Sequence, residues 1–114
     1  MIFVTGGTGL VGSHILLNLT RKGEPYKALK RSTSSLRICE DVFKHYNESK
    51  SFSQINWVDG DINDIPSLEE HIEGCNYVLH SAGFVSFHPS DLSLLKKINI
   101  EGTANVMNVA LSSG

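Results

Sequence analysis

Short apolar runs alternate along the chain with longer stretches whose apolar residues recur every three or four positions, the periods of buried strands and amphipathic helices. Residues 1–4 form a β-prone run halted by Thr5-Gly6-Gly7. Residues 10–21 carry Val11, Ile15, Leu16 and Leu19 on one stripe at helical spacing, and Lys22-Gly23 ends that helix. A second strand is predicted over 25–30. The polar cluster 32–35 starts a helix over 36–45, with Leu36, Val42 and Phe43 as candidates for burial. The polar stretch 46–53 reads as loop. A third strand over 55–58 is closed by Asp59-Gly60-Asp61, and a short helix over 66–72, with Ser67 or Asp64 as its cap, stops at Gly74. Tyr77-Val78-Leu79 centre a fourth strand over 76–80. A loop over 82–90 then leads to the longest helical pattern, 91–111, where Leu95, Ile98, Gly102, Val106 and Val109 share a stripe. Gly102 within that stripe suits close backbone packing. The order β-α-β-α-β-α-β-α predicts an α/β fold, a doubly wound parallel sheet with helices on both faces.

Composition narrows the class. At 40% apolar and 19% charged over 114 residues, the chain is of single-domain size and has the make-up of a globular protein. A net charge of −2 carries no nucleic-acid footprint. Two cysteines, Cys39 and Cys75, are too few for a disulfide scaffold and set a reduced, cytoplasmic chain as the expectation. No apolar run approaches the roughly 18 to 20 residues that span a bilayer, and residues 1–5 lack the pattern of a signal peptide. His14, His45, His71 and His88 share no metal-ligand spacing with the cysteines, so no metal is expected.

The candidate chemistry begins in Thr5-Gly6-Gly7-Thr8-Gly9-Leu10-Val11-Gly12, between the first strand and the first helix. Glycines at 6, 9 and 12 allow a tight turn, a close approach of pyrophosphate to backbone, and close helix–strand packing. The helix that follows presents free amides and the positive end of its dipole to an anion. The absence of Gly-Lys-Ser/Thr after the loop argues against a phosphate-transferring P-loop.

About 20 residues further on, an acid would bond the ribose 2′-hydroxyl of NAD. Here Lys30 and Arg31 stand instead, and no Asp or Glu falls between Glu24 and Glu40. Cations there suit the 2′-phosphate of NADP. Arg37 is placed to close on the same phosphate, and Ser32 and Thr33 to donate hydroxyls. NADP is therefore favoured over NAD.

With these residues in place, the chain resembles the extended short-chain dehydrogenases/reductases, the NAD(P)-dependent epimerase/dehydratase superfamily, over essentially its whole length. The glycine loop matches the family's TGxxGxxG, which implies cofactor contacts from Gly6, Thr8, Gly9, Leu10, Val11 and Gly12. Asp59-Gly60-Asp61-Ile62 looks like the segment whose aspartate, here Asp61, and next residue, Ile62, touch the adenine. His80-Ser81-Ala82-Gly83 is similar to the family's fourth strand end, implying that Ser81, Ala82 and Gly83 line the nicotinamide-ribose side. In a helix similar to 99–106, the residue matching Asn99 helps hold the proton-relay water. The stretch 30–36 looks most like the dihydroflavonol-reductase-like branch, which prefers NADPH. The resemblance implies a Rossmann-like sheet in the order 3-2-1-4.

The family's Ser/Thr and Tyr-x-x-x-Lys lie after a fifth strand. By that measure 1–114 is the N-terminal, dinucleotide-binding part, and Asn99 has only a supporting catalytic role. Two internal matches to Tyr-x-x-x-Lys are rejected. Tyr26 and Lys30 stand ~13 Å apart along a strand, and Tyr46 and Lys50 precede the third strand, away from the nicotinamide end. His80 reads as structural, and Phe84, Val85, Phe87 and His88 as loop packing ahead of substrate contact. The expected function is an NADP-dependent oxidoreductase acting on a small carbonyl or alcohol. The alternatives are an NAD-dependent nucleotide-sugar epimerase/dehydratase and a non-enzymatic dinucleotide sensor. A fourth strand left as an open edge also predicts homo-oligomers or strand-swapped association.

Overall fold

The computed structural model describes residues 1–81 and 100–112. Its elements are β1 (Ile2–Thr5), α1 (Leu10–Arg21), β2 (Tyr26–Lys30), α2 (Arg37–His45), α3 (Ser49–Phe52), β3 (Trp57–Asp59), α4 (Ile65–Ile72), β4 (Tyr77–His80) and α5 (Thr103–Ser112). The four strands form one parallel sheet in the order β3-β2-β1-β4, as expected. Ile2 stands opposite both Tyr26 and Tyr77, and Lys30 stands opposite Asp59, so the strands end close together along one edge.

Each strand sends alternate side chains to opposite faces. Phe3 and Leu29 join Ile62, Leu68, Ile72, Val106 and Val109 beneath α4 and α5. Val4 and Ala28 join Leu16, Leu17, Cys39, Val42 and Phe43 beneath α1 and α2. Burial on both faces is what a short parallel strand requires. On the α4–α5 side the fit is close. A Cβ on Gly102 would lie 2.4 Å from Ile62 Cδ1, and Asn105 Nδ2 donates to the Ile62 carbonyl at 3.0 Å.

Three expectations need correction. Residues 49–52 form a helical turn rather than loop, with Phe52 edge-on to Phe43 at 6.0 Å and the Glu48 amide donating to the Phe43 carbonyl. One apolar residue in four is too few for a periodic signal. Val11 is 69% exposed, because the buried face of α1 runs through Gly12, Ser13, Leu16 and Leu17. Ser13 can be buried because its hydroxyl reaches the Gly7 carbonyl at 3.0 Å. Leu36 is only half-buried and precedes α2, whose buried side chains are Cys39, Val42 and Phe43.

Candidate functional site

The four strands end at Thr5, Lys30, Asp59 and His80, and the loops beyond them line one edge of the sheet. The first loop is shaped by steric necessity. Gly6 adopts φ +77°, and its carbonyl accepts the Gly9 amide at 3.1 Å. A Cβ on Gly12 would lie 1.8 Å from the Gly6 oxygen, and one on Gly7 would lie 2.8 Å from Leu16 Cδ1. Gly12 excludes a side chain because it meets backbone, whereas one at Gly7 would require the Leu16 side chain to shift.

Gly9 differs. Its φ is −91°, open to any residue, and an added Cβ would make only an ordinary contact of 3.6 Å with the Gly6 oxygen. What a side chain there would fill is the space before the first turn of α1. The first helical bond is the Ser13 amide to the Gly9 carbonyl, at 2.8 Å, so the amides of Leu10, Val11 and Gly12 precede any intrahelical acceptor. Gly9 thus leaves a cradle open over helix-end amides, which fits the pyrophosphate of a dinucleotide. Gly6, Gly9 and the amides of 10–12 would hold it there. A bound nicotinamide dinucleotide would supply hydride transfer, while these residues supply binding and orientation.

The second loop is shaped by charge and hydroxyls. The Arg31 amide donates to Ser34 Oγ at 3.2 Å, the Ser34 amide donates to the Arg31 carbonyl at 2.9 Å, and the Arg37 amide donates to Ser35 Oγ at 3.3 Å. These bonds fold 31–37 into a tight connection that leaves Arg31, Ser32, Thr33 and Arg37 exposed. Lys30 has a partner within the sheet. Its Nζ is paired with Asp59 Oδ1 at 2.6 Å. The acid that is missing from the stretch after β2 arrives across the sheet from the end of β3, which a reading along the chain could not register.

The third loop presents Asp61 and Ile62. Asp61 turns its carboxylate to the Asn63 amide at 2.9 Å, and its own amide donates to Ser67 Oγ at 3.2 Å. Ile62 is 8% exposed and packs into the core against Gly102, so its side chain faces away from the edge. Only its backbone is left to meet an adenine.

At the end of β4, Ser81 Oγ donates to the Thr5 carbonyl at 2.7 Å, and the Ser81 amide donates to Thr5 Oγ1 at 3.2 Å. His80 is held at both ring nitrogens, Nδ1 by Thr5 Oγ1 at 2.6 Å and Nε2 by Thr103 Oγ1 at 2.9 Å. Burial pushes its pKa below the usual 6.5. His80 is thus a structural link from β4 to β1 and α5. The sequence reads His80 as structural, but its spacing gives no sign of the two threonines that hold the ring. Ala82, Gly83, Phe84, Val85, Phe87, His88 and Asn99 lie outside the described residues.

Neither Tyr-x-x-x-Lys match forms a pair. The Tyr26 hydroxyl bonds Thr20 Oγ1 at 2.8 Å, and burial raises its pKa, while Lys30 is bound to Asp59. Tyr46 packs between His14 and His45, with the Arg21 guanidinium 5.3 Å from its ring centre. Burial also raises the pKa of the Cys39 thiol, against the opposing effect of the Ser13 hydroxyl. Among the described residues no three His, Cys, Asp or Glu side chains converge as a metal site, and no helix is long and apolar enough to cross a membrane.

Residues 2–114 match the model of the NAD dependent epimerase/dehydratase family. The chain belongs to that family. Among curated relatives of the chain, a putative dihydroflavonol 4-reductase from Synechocystis sp. is 32% identical over 112 residues, covering 98% of the chain and 29% of the relative. A decarboxylating sterol-4-alpha-carboxylate 3-dehydrogenase from Dictyostelium discoideum is 30% identical, covering 98% and 31%. A solved short-chain dehydrogenase/reductase superfamily protein from Agrobacterium tumefaciens, with NAD bound, superimposes with a TM-score of 0.76 at 26% identity, covering all of this chain and 30% of that one. The chain therefore spans less than a third of the length of each. The family and the Rossmann-like sheet agree with the expectation from the motifs.

Proposed function

We propose that the protein is an NADP-dependent oxidoreductase that moves hydride between nicotinamide and a carbonyl or alcohol, with residues 1–114 holding the dinucleotide. The observation that carries this reading is the exposed pair Arg31 and Arg37 on the connection after β2, beside the open cradle at Gly9. Guanidinium groups pair with phosphate in a bidentate fashion, and the 2′-phosphate is what distinguishes NADP from NAD. Ser32 and Thr33 add hydroxyl donors on the same connection. The cradle binds what the two dinucleotides share, and the connection selects between them. Ser81, Ala82, Gly83 and Asn99 are assigned to the nicotinamide side, and the Asp61-Ile62 backbone to the adenine.

Fluorescence titration of the intact protein with NADPH and NADH tests the assignment. NADPH is expected to bind at least about tenfold more tightly, the scale of one charge-assisted contact. Tighter binding of NADH would overturn it and favour an NAD-dependent epimerase or dehydratase. That second reading has its own support in a Rickettsia rickettsii UDP-glucose 4-epimerase 26% identical over 116 residues.

A further inference from the structure

Lys30 and Asp59 are the last residues of two adjacent parallel strands and stand in register. By the alternation of each strand, both point to the face that carries α1 and α2. Ala28 and Trp57, two residues earlier on each strand, already pack there. Trp57 also approaches Gly7 of the glycine loop, 3.5 Å from where a Cβ would stand. The pair therefore sits on the cradle side of the sheet, directly before the connection that carries Arg31. The Lys30 side chain is 22% exposed and its Nζ is 2.6 Å from Asp59 Oδ1, whereas the Asp59 side chain is 67% exposed. The carboxylate is the outer partner and the ammonium the inner one.

We infer that Asp59 is a specificity-determining residue for the dinucleotide, because it holds Lys30 away from the 2′-phosphate position and places a carboxylate next to it. This rests on the assignment of the connection after β2 to the adenosine ribose. Two effects follow, and both bear only on a phosphorylated ribose. The Lys30 ammonium can face Asp59 or a phosphate, but not both at once. The carboxylate also repels a dianionic phosphate, while it is indifferent to a neutral 2′-hydroxyl or accepts a hydrogen bond from it. Asp59 thus moderates the preference that Arg31 and Arg37 create, and it does so from β3, outside the stretch where an acid after β2 would be sought. Its backbone is fixed independently, since the Asp59 carbonyl meets His71 Nε2 at 2.9 Å and the Gly60 amide donates to the Lys30 carbonyl at 2.9 Å. Changing its carboxylate to an amide therefore alters charge without releasing the strand.

The test is calorimetric titration of the intact protein with ADP-ribose and with its 2′-phosphate, ligands that report on the adenosine end without any turnover. In Asp59→Asn the 2′-phosphorylated ligand is expected to bind about tenfold more tightly, the scale of one charge-assisted hydrogen bond, with ADP-ribose unchanged. Adding Lys30→Met to Asp59→Asn is expected to reduce the gain to what the lost repulsion alone contributes, since the freed ammonium supplies the rest. An unchanged ratio of the two affinities in Asp59→Asn, or a gain that Lys30→Met does not reduce, overturns the inference. Arg31→Ala separates this from the underlying assignment. If Arg31→Ala erases the discrimination while Asp59→Asn does nothing, the role of Asp59 alone fails. If Arg31→Ala leaves the discrimination intact, the assignment of the connection fails and takes the inference with it.

Discussion

The glycine loop and the connection after β2 lie side by side on one edge of the sheet, yet they are determined by different physics. In the first, backbone meets backbone. Gly12 has no room for a methyl group beside the Gly6 carbonyl, and Gly6 lies in the left-handed region that glycine favours. In the second, the fold is set by serine hydroxyls bound to amides, and the Lys30 ammonium faces the Asp59 carboxylate. A steric site is specified by residues within eight positions of each other. A charged site depends on partners that the sheet brings in from 29 residues away.

Substitutions can break this contrast. The largest effect is expected from Gly12→Ala, whose Cβ would fall 1.8 Å from the Gly6 oxygen. The loop must rearrange, with a loss of about 3 kcal/mol in a urea melt, at the upper end for overpacking, and no measurable dinucleotide binding. Gly9→Ala sharpens the point. With an ordinary 3.6 Å contact it should keep its stability to within about 0.5 kcal/mol while binding at least about tenfold more weakly. Wild-type affinity in Gly9→Ala would show that the cradle is not the binding surface. In the second region Arg31→Ala should weaken NADPH about tenfold and leave NADH unaffected, without a change in melting temperature, because the side chain is exposed. A lower melting temperature would mean that this region too is held sterically.

The smallest effect concerns His80. Burial lowers its pKa in the folded chain below the ordinary 6.5, so the unfolded chain binds more protons as pH falls through that value. Stability contributed by the neutral ring is therefore complete above 6.5 and declines below it, until the folded-state pKa is passed. His80→Gln should flatten that part of the pH–stability curve, as followed by thermal melts between about pH 5 and 8. An unchanged slope would count against the burial of the His80 ring.

What the sequence made legible divides along the same line. The strand and helix order and the Gly6-Gly9-Gly12 turn were readable because periodicity and backbone crowding are local, whereas the 3-2-1-4 order of the sheet was implied by the family resemblance. The burial of Val106 and Val109 around Gly102 was readable for the same reason. Val11 was misplaced because a stripe of apolar residues does not reveal that Ser13, once bonded to Gly7, can take the inward position. The short turn at 49–52 was missed because Phe52 is its only apolar residue. The sequence assigns Lys30 to a 2′-phosphate and does not reveal its ion pair, because Asp59 sits on another strand. A register built from parallel strands would have brought Lys30 and Asp59 together.

One methyl group separates two fates for this chain. Placed at position 12, it attacks the loop itself, and such a variant would be cleared by the cell as an unstable protein. Placed at position 9, it would leave a folded scaffold with a weakened hold on its ligand. A single mutational step can therefore lower the affinity of the proposed cradle while the architecture is kept. The return path is equally short.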